Sequence, residues 1–380
     1  MILLNRIKRI LTNESEWYKP KNVRVIIYGE FNSDLIKKYV SNVSYSILSS
    51  RKINVYIALK NLFSSKRSIF NYYVLYLKAA KPELVITAVD NDLLFFALKG
   101  ALPEIKTILL QYAWHGELAD VFGVLKRNPP VKKYLIDHMF FFNDNIRNKY
   151  LEYIEGQAIV SGSFKNNISQ IGYAPSPGKV VCFVSQYRIK QPFHPIFFYE
   201  GEKAYYYDQF YESEITLLPL LSEYCKKKSI RLQISGHGTT PAEYHFFGDM
   251  IGNFDWDFIP RFEPFDSYKT ISRADIVVGV DSALAYEAFG LGKRTGFFSF
   301  RSKSLNDRSY TFGWPGKFNS TGPMWTDDIT EQEVMRVMDF LLESSENEWQ
   351  ETHKKYQNTI MSYDVNNSQL IKLLAGYGVS

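Results

Sequence analysis

The chain has 380 residues, 46% hydrophobic and 22% charged, the balance of a globular protein with ample apolar surface to bury. This excludes disorder as its main state and predicts two domains or one large one. A net charge of +5 permits an anionic substrate or an acidic membrane surface, and no basic stripe interleaved with aromatics calls for nucleic acid.

Met1–Leu11 carries apolar Ile2, Leu3, Ile7, Ile10 and Leu11 among basic Arg6, Lys8 and Arg9. It is too short and too charged for a signal peptide's apolar region, and no run in the chain reaches the about 18 apolar residues that span a bilayer. It reads as an amphipathic helix, either lying on a membrane surface or packed on its own domain. Val23–Glu30 then predicts a buried strand, Ser33–Val40 a helix capped by Ser33 or Asn32, and Ile53–Leu59 a second strand. A helix over Ile69–Ala80, a strand over Leu84–Asp90 and a helix over Asp92–Gly100 follow. Lys106–Ala113, His138–Asn143 and Gln157–Ser163 read as further strands. Continuous apolar strands alternating with helices predict a parallel sheet covered on both faces.

Gly172–Gly178 holds two prolines and two glycines in seven residues and reads as a linker. Beyond it a second series has strands at Lys179–Ser185, Arg231–Ser235, Trp256–Pro260, Asp275–Val280 and Arg294–Phe300. Helices are predicted at Ser213–Lys228, Pro264–Ser272 and Ala283–Gly290, with closing helices at Thr330–Ser344 and Glu346–Ser362. The expected architecture is α/β: two Rossmann-like domains facing a central cleft, residues 1–172 and 173–345, with 346–380 packing back. Ligands of such sheets bind beyond the carboxyl ends of the strands, here between the domains. Cys182 and Cys225 have no CxxC spacing, which argues against a zinc site or a disulfide framework and fits a reducing compartment.

Several strand ends carry candidate chemistry. Gly236-His237-Gly238 follows a second-domain strand, where small residues let a phosphate approach and an imidazole can donate to it; a tight turn with a surface histidine is the plainer reading. Asp281-Ser282-Ala283 opens the helix Ala283–Gly290, whose first amides make an anion site. Glu287, further along, could accept from sugar or ribose hydroxyls, or face solvent. Ser185, Gln186 and Arg188 end the first strand of the second domain. Arg188, Arg261 and Arg301 all follow strands there, suited to bidentate contact with phosphate or to the surface. In the first domain Asp90, Asn91, Asp92, Gln111 and Tyr112 end strands. Asp90 and Asp92 could equally cap the next helix. His115 and Asp120 are the candidates for a base that takes a proton from a hydroxyl. Trp314 offers a ring face for stacking or packs in a loop.

The segment DIVVGVDSALAYEAFGLGKRTGFF (275–298) resembles the donor-binding segment of GT-B glycosyltransferases. FGWPGKF…GPMWT (312–326) and PELVITAVDNDLLFFAL (82–98) are similar to a family of bacterial surface-carbohydrate biosynthesis proteins of that fold. The His237 loop paired with the Ser282 helix start also resembles transferases with cytidine-nucleotide donors, such as Kdo and sialic acid transferases. Those carry His-Pro where this chain has His237-Gly238, so CMP-, UDP- and GDP-linked sugars stay open. The resemblance implies a glycosyltransferase moving a sugar from a nucleotide donor to a surface polysaccharide or lipopolysaccharide, without metal or other cofactor. Its partners would be the nucleotide sugar, a glycan or lipid-linked glycan and a membrane surface, with no nucleic acid. It would work in the cytoplasm, either free there or peripheral on the inner face of the cytoplasmic membrane. A sugar-nucleotide epimerase of the same fold and a non-catalytic binding subunit are the alternatives.

Overall fold

The computed structural model describes residues 15–168, 178–188, 195–252 and 254–379. The amphipathic segment at Met1–Leu11 and all but the last residue of the linker at 172–178 lie outside these. The first domain contains β1 (Val25–Tyr28), α1 (Ser33–Val40), β2 (Tyr45–Leu48), α2 (Val55–Leu62), α3 (Ile69–Ala80), β3 (Leu84–Thr87) and α4 (Leu93–Ala101). It continues through β4 (Lys106–Leu110), α5 (Val121–Arg127), β5 (Tyr134–Phe141), α6 (Asp144–Leu151) and β6 (Ile154–Val160). All neighbours in the sheet β2-β1-β3-β4-β5-β6 are parallel. β1 and β3 are buried at every residue, as strands covered by helices on both faces must be. Ser68, Asp92 and Asn143 cap α3, α4 and α6, each accepting a first-turn amide that the helix leaves unpaired.

The second domain runs β7 (Val180–Val184), the hairpin β8 (Ile196–Glu200) and β9 (Lys203–Tyr206), α7 (Tyr207–Lys228), β10 (Arg231–Ser235), α8 (Pro241–Ile251), β11 (Trp256–Ile259) and α9 (Asp266–Arg273). It continues with β12 (Ile276–Gly279), α10 (Ala283–Gly290), β13 (Arg294–Phe298), α11 (Arg301–Ser304), β14 (Thr321–Gly322), β15 (Trp325–Thr326) and α12 (Glu331–Glu343). Its main sheet, β11-β10-β7-β12-β13-β15-β14, is parallel except at β14–β15. The result is the expected pair of Rossmann-like domains.

One predicted strand is overturned. Ile53–Leu59 runs into α2, which starts at Val55, while the second strand is β2, which begins eight residues upstream of Ile53. Asn54 takes an extended conformation and accepts the Ile57 amide, which starts a helix. β2 is a half-exposed edge strand with no continuous apolar run.

The chain crosses back after α12. α13 (Glu346–Ile360) packs Trp349 on Phe289 of α10, then passes to the first domain, where Asn143 Nδ2 donates to Ile360 O at 2.7 Å. α14 (Ser368–Gly376) covers the first sheet, with Leu370 and Leu374 packed in one cluster with Val25, Ile27 and Ile86. Trp114 stacks on Tyr286 across the domains at 4.4 Å between ring centres. Residue 116 faces Ser309 so closely that a Cβ there would meet its Oγ at 2.7 Å; glycine lets the walls meet.

Candidate active site

The first-domain wall is built by the loop from β4 to α5. Gln111 staples this loop: the Phe142 amide donates to its Oε1 at 2.9 Å, and its Nε2 donates to Ala113 O at 3.0 Å. Asp90, at the end of β3, accepts from the amides of Tyr112 at 3.0 Å and Ala113 at 3.2 Å. These bonds deliver His115 into a buried position between two carboxylates. Its Nδ1 lies 3.0 Å from both oxygens of Asp120, and its Nε2 lies 3.0 Å from Asp90 Oδ1, close enough for charge attraction though not aligned as a hydrogen bond. Burial works against the imidazolium, but the two carboxylates outweigh it and raise the pKa to about 10. His115 is therefore protonated at neutral pH.

Asp120 caps α5 and lines the cleft. The Val121 amide donates to its Oδ1 at 2.7 Å and the Gly116 amide to its Oδ2 at 3.2 Å. With His115 these make three donors on a group with about four acceptor sites, and the carboxylate is partly exposed to the cleft. His115, the other expected base, is not placed to take the proton. It is enclosed, already protonated and absent from the cleft lining.

A cleft of about 380 Å³ separates Asp120 from the second-domain wall, where Gln186, Arg188, Asp281 and Arg301 line it. Arg301 differs from the expected phosphate ligand. It is buried, ion-paired to Asp281 and Glu214, stacked 3.9 Å over Phe210, and its Nε donates to Phe210 O. Gln186 Oε1 joins this network by accepting from Arg301 Nη1 at 3.3 Å. Arg188 is exposed and rests 5.3 Å over Phe197, with no ion pair among the described residues. His237 is exposed on its loop. Crowding and then the charge of Arg261, with that of Arg188, lower its pKa against the pull of Glu243, so both guanidinium groups lie within electrostatic reach of the ring, although neither His237 nor Arg261 lines the cleft itself. Lys165, absent from the sequence reading, adds a further cation. Its pKa falls through burial, with Arg261 also lowering it against the pull of Glu287.

Other expectations are relocated. The amides of His237 and Gly238 do not face a phosphate. They donate to the buried carboxylate of Glu243, at 2.7 and 3.1 Å, and Ser185 Oγ bonds the same group. Ser185 and Gly236 are thus loop supports, buried behind the cleft. Glu243 was missed, although Thr240-Pro241-Ala242-Glu243 carries a helix-start signature with an acid in the first turn. Glu214 was missed as well, being read only as part of a helix.

Glu287 does not face solvent or a sugar. Burial raises its pKa, and Ser163 of the first domain and Tyr268 donate to its two oxygens. Asn166 donates to its carbonyl at 3.0 Å, so Glu287 joins the domains. Trp314 is buried against Phe122 and stacks on no open site.

Ser282 and Ala283 stand at the N-terminus of α10, where Ser282 makes no side-chain cap bond. Asn91 is exposed on its loop. Tyr112 packs edge-on to Phe31. Asp92 accepts from Tyr28 OH at 2.6 Å and lines a second cavity of about 470 Å³ with Glu30, Asn32, Arg51 and Tyr73. Among the described residues no cluster of three or more His, Cys, Asp or Glu could hold a metal ion.

A family model described as "putative O-antigen biosynthesis protein" matches residues 108–377. No curated protein matches the chain in sequence. Among solved structures it is similar to a Listeria monocytogenes protein described as a "putative UDP-N-acetylglucosamine 2-epimerase", with a TM-score of 0.54 at 10% identity over 94% of this chain and 97% of that one. It is also similar to S. aureus MnaA in complex with UDP, with a TM-score of 0.53 at 10% identity over 94% and 98%. A third is the UDP-GlcNAc 2-epimerase of Neisseria meningitidis bound to UDP-GlcNAc, with a TM-score of 0.52 at 12% identity over 93% and 99%. At such identities the likeness concerns the fold, two Rossmann-like domains about a cleft in the GT-B arrangement.

Proposed function

The chain belongs to the O-antigen biosynthesis family that matches residues 108–377, and we propose that it is a glycosyltransferase moving a sugar from a nucleotide donor to a surface-glycan acceptor. The observation that carries this reading is a pair of cavities at the carboxyl ends of the strands. One lies between Asp120 and the second-domain wall, and the other lies in the first domain at the ends of β1, β2 and β3. An epimerase converts a nucleotide sugar by itself, whereas a transferase must also seat an acceptor, and the first-domain cavity offers that place. A binding subunit has no use for a carboxylate clamped by a buried imidazolium.

In this reading Arg188, Arg261 and His237 hold the donor's phosphates with the first amides of α10. Their positive charge offsets the charge that develops on the leaving group. Arg301, Asp281, Glu214 and Gln186 keep that wall rigid. Asp120 uses its remaining acceptor site to take the proton of the acceptor hydroxyl, and His115 is a positioning residue that fixes the carboxylate. The acceptor enters from the first-domain side, past Asp92 and Tyr73.

The test is product analysis of the purified chain with UDP-, GDP- and CMP-sugars, with and without extracted surface-glycan acceptor. Sugar transferred only when acceptor is present supports the reading. Conversion of the donor to an isomer without acceptor replaces it with epimerisation.

A further inference from the structure

Charge is distributed very unevenly along the chain. Residues 1–82 carry fifteen Lys and Arg against four Asp and Glu, whereas the other 298 residues carry thirty against thirty-six. No acidic residue lies between Asp34 and Glu83, a stretch that includes Lys52, Lys60, Lys66 and Arg67. The same part of the molecule exposes large apolar side chains that its fold leaves uncovered. Trp17, Tyr18, Leu59, Leu62, Phe63 and Ile69 are all exposed, Tyr18 at 87% and Phe63 at 82% of their surface.

These groups belong to one surface. Glu16 pairs with Asn54 as a short bridge, and Asn54 Nδ2 donates to Tyr18 O at 3.0 Å, which holds Trp17 and Tyr18 at the start of α2. Lys19 acts on Tyr56, and Lys60 lies 4.7 Å over the same ring. Leu59, Leu62 and Phe63 fall three and four residues apart, on one face of α2 and its C-cap. The turn to α3 is tied by Asn71 Nδ2, which donates to Asn61 Oδ1 at 2.8 Å, and by Asn61 Nδ2, which donates to Ser68 O at 3.0 Å. Ile69 opens α3 beside that tie. The surface is therefore an elbow of two helices with an apolar crest and a basic rim.

We propose that this α2–α3 elbow docks the protein on an anionic phospholipid bilayer, with Leu62 and Phe63 entering the interface and Lys60, Lys66 and Arg67 meeting the headgroups. A crest of aromatic and aliphatic groups rimmed by Lys and Arg matches the two layers of such a surface, apolar within and negative outside. Pairing with a second copy is opposed by the same charges, because it would bring two basic rims together. Among the described residues no helix is long and apolar enough to cross a membrane. The elbow also adjoins the first-domain cavity. Arg51, just before α2, and Tyr73, on α3, line it. If the transferase reading holds, an acceptor carried on a membrane lipid would rise into that cavity at the docked edge. The docking itself does not depend on that reading.

The experiment is co-sedimentation of the full chain with vesicles of phosphatidylcholine alone or with phosphatidylglycerol. Binding should require phosphatidylglycerol and fall with salt. Leu62→Glu with Phe63→Glu, and separately Lys60→Glu with Arg67→Glu, should each weaken it about ten-fold or more. All four positions are at the surface, so melting temperature and binding of a nucleotide sugar in solution should not change. Loss of nucleotide binding in the parent chain would instead count against the transferase reading and leave the docking test intact. Equal vesicle binding by parent and both variants overturns the proposal. So does a parent chain that ignores vesicles but forms a dimer that Leu62→Glu with Phe63→Glu disperses.

Discussion

The two walls of the cleft are built on opposite plans. On the first-domain side the polar groups of Asp90, His115 and Asp120 are nearly all engaged, and of the three Asp120 alone lines the cleft. On the second-domain side Arg188 lies open on an aromatic ring, while the buried Arg301 spends its charge on two carboxylates. A group that must move a proton needs its position fixed within tenths of an ångström, so its neighbours hold it. Groups that must hold a mobile anion need unspent charge, and they keep it only where no carboxylate reaches them. The contrast separates residues that act in turnover from those that act in binding.

The largest effect should come from the first wall. Asp120→Asn keeps the shape of the side chain and an oxygen to accept the Val121 amide, but it removes the carboxylate that takes a proton. Turnover at saturating donor and acceptor should fall about 10²–10⁴-fold, with donor affinity by calorimetry unchanged. A variant that loses donor affinity and keeps turnover would break the division between the walls.

The next comparison lies within the second wall, between two arginines. Arg301→Met leaves Glu214 and Asp281 without their partner in a buried site, and removing one member of such a pair costs about 3–5 kcal/mol. Thermal melts should show a large loss. Arg188→Ala removes an exposed charge that has no ion pair among the described residues. It should leave the melt unchanged and weaken donor binding about ten-fold, as for a charge-assisted hydrogen bond. If both variants melt early, Arg188 is a structural residue and the anion site lies elsewhere.

The same distinction explains what the sequence could and could not disclose. Apolar runs flanked by turn residues located β10 and the helices α1, α3 and α10 at their observed ends, because burial on both faces of a parallel sheet and helix capping are local signals. β2 escaped because an edge strand needs apolar residues on one side only, and the β-branched run nearby belongs to α2, where Asn54 imposes a helix start. Residues that follow strands, such as Gln186 and Arg188 after β7 and Asp120 in the loop from β4 to α5, could be read, since topology puts such loops at the cleft. Whether a side chain is open or spent could not. Glu243 meets Ser185 across 58 residues, Arg301 meets Glu214 across 87, and Glu287 meets Ser163 across 124. Those pairings depend on how elements pack, and nothing local in the chain marks them.

The finest test of the contrast uses two serines in the same formal position. Ser345 caps α13 fully: its Oγ accepts the Glu348 amide at 3.3 Å, and Glu348 reaches back to the Ser345 amide at 2.8 Å. Ser282 precedes α10 with φ −62° and ψ 131°, yet its side chain makes no cap bond. Ser282 follows Asp281, which lines the cleft, and it precedes first-turn amides that the helix itself cannot satisfy. Ser345→Ala should therefore cost stability by the usual about 0.5–2 kcal/mol for a lost cap and leave donor binding untouched. Ser282→Ala should cost less stability than that, because no native bond is broken. It should weaken donor binding only about three- to ten-fold, the worth of one neutral hydrogen bond. Melting curves and donor titrations of the two variants decide the matter. Equal destabilisation with unchanged affinity in both would mean that Ser282 serves the helix, and the donor site would then rest on Arg188, Arg261 and His237 without it.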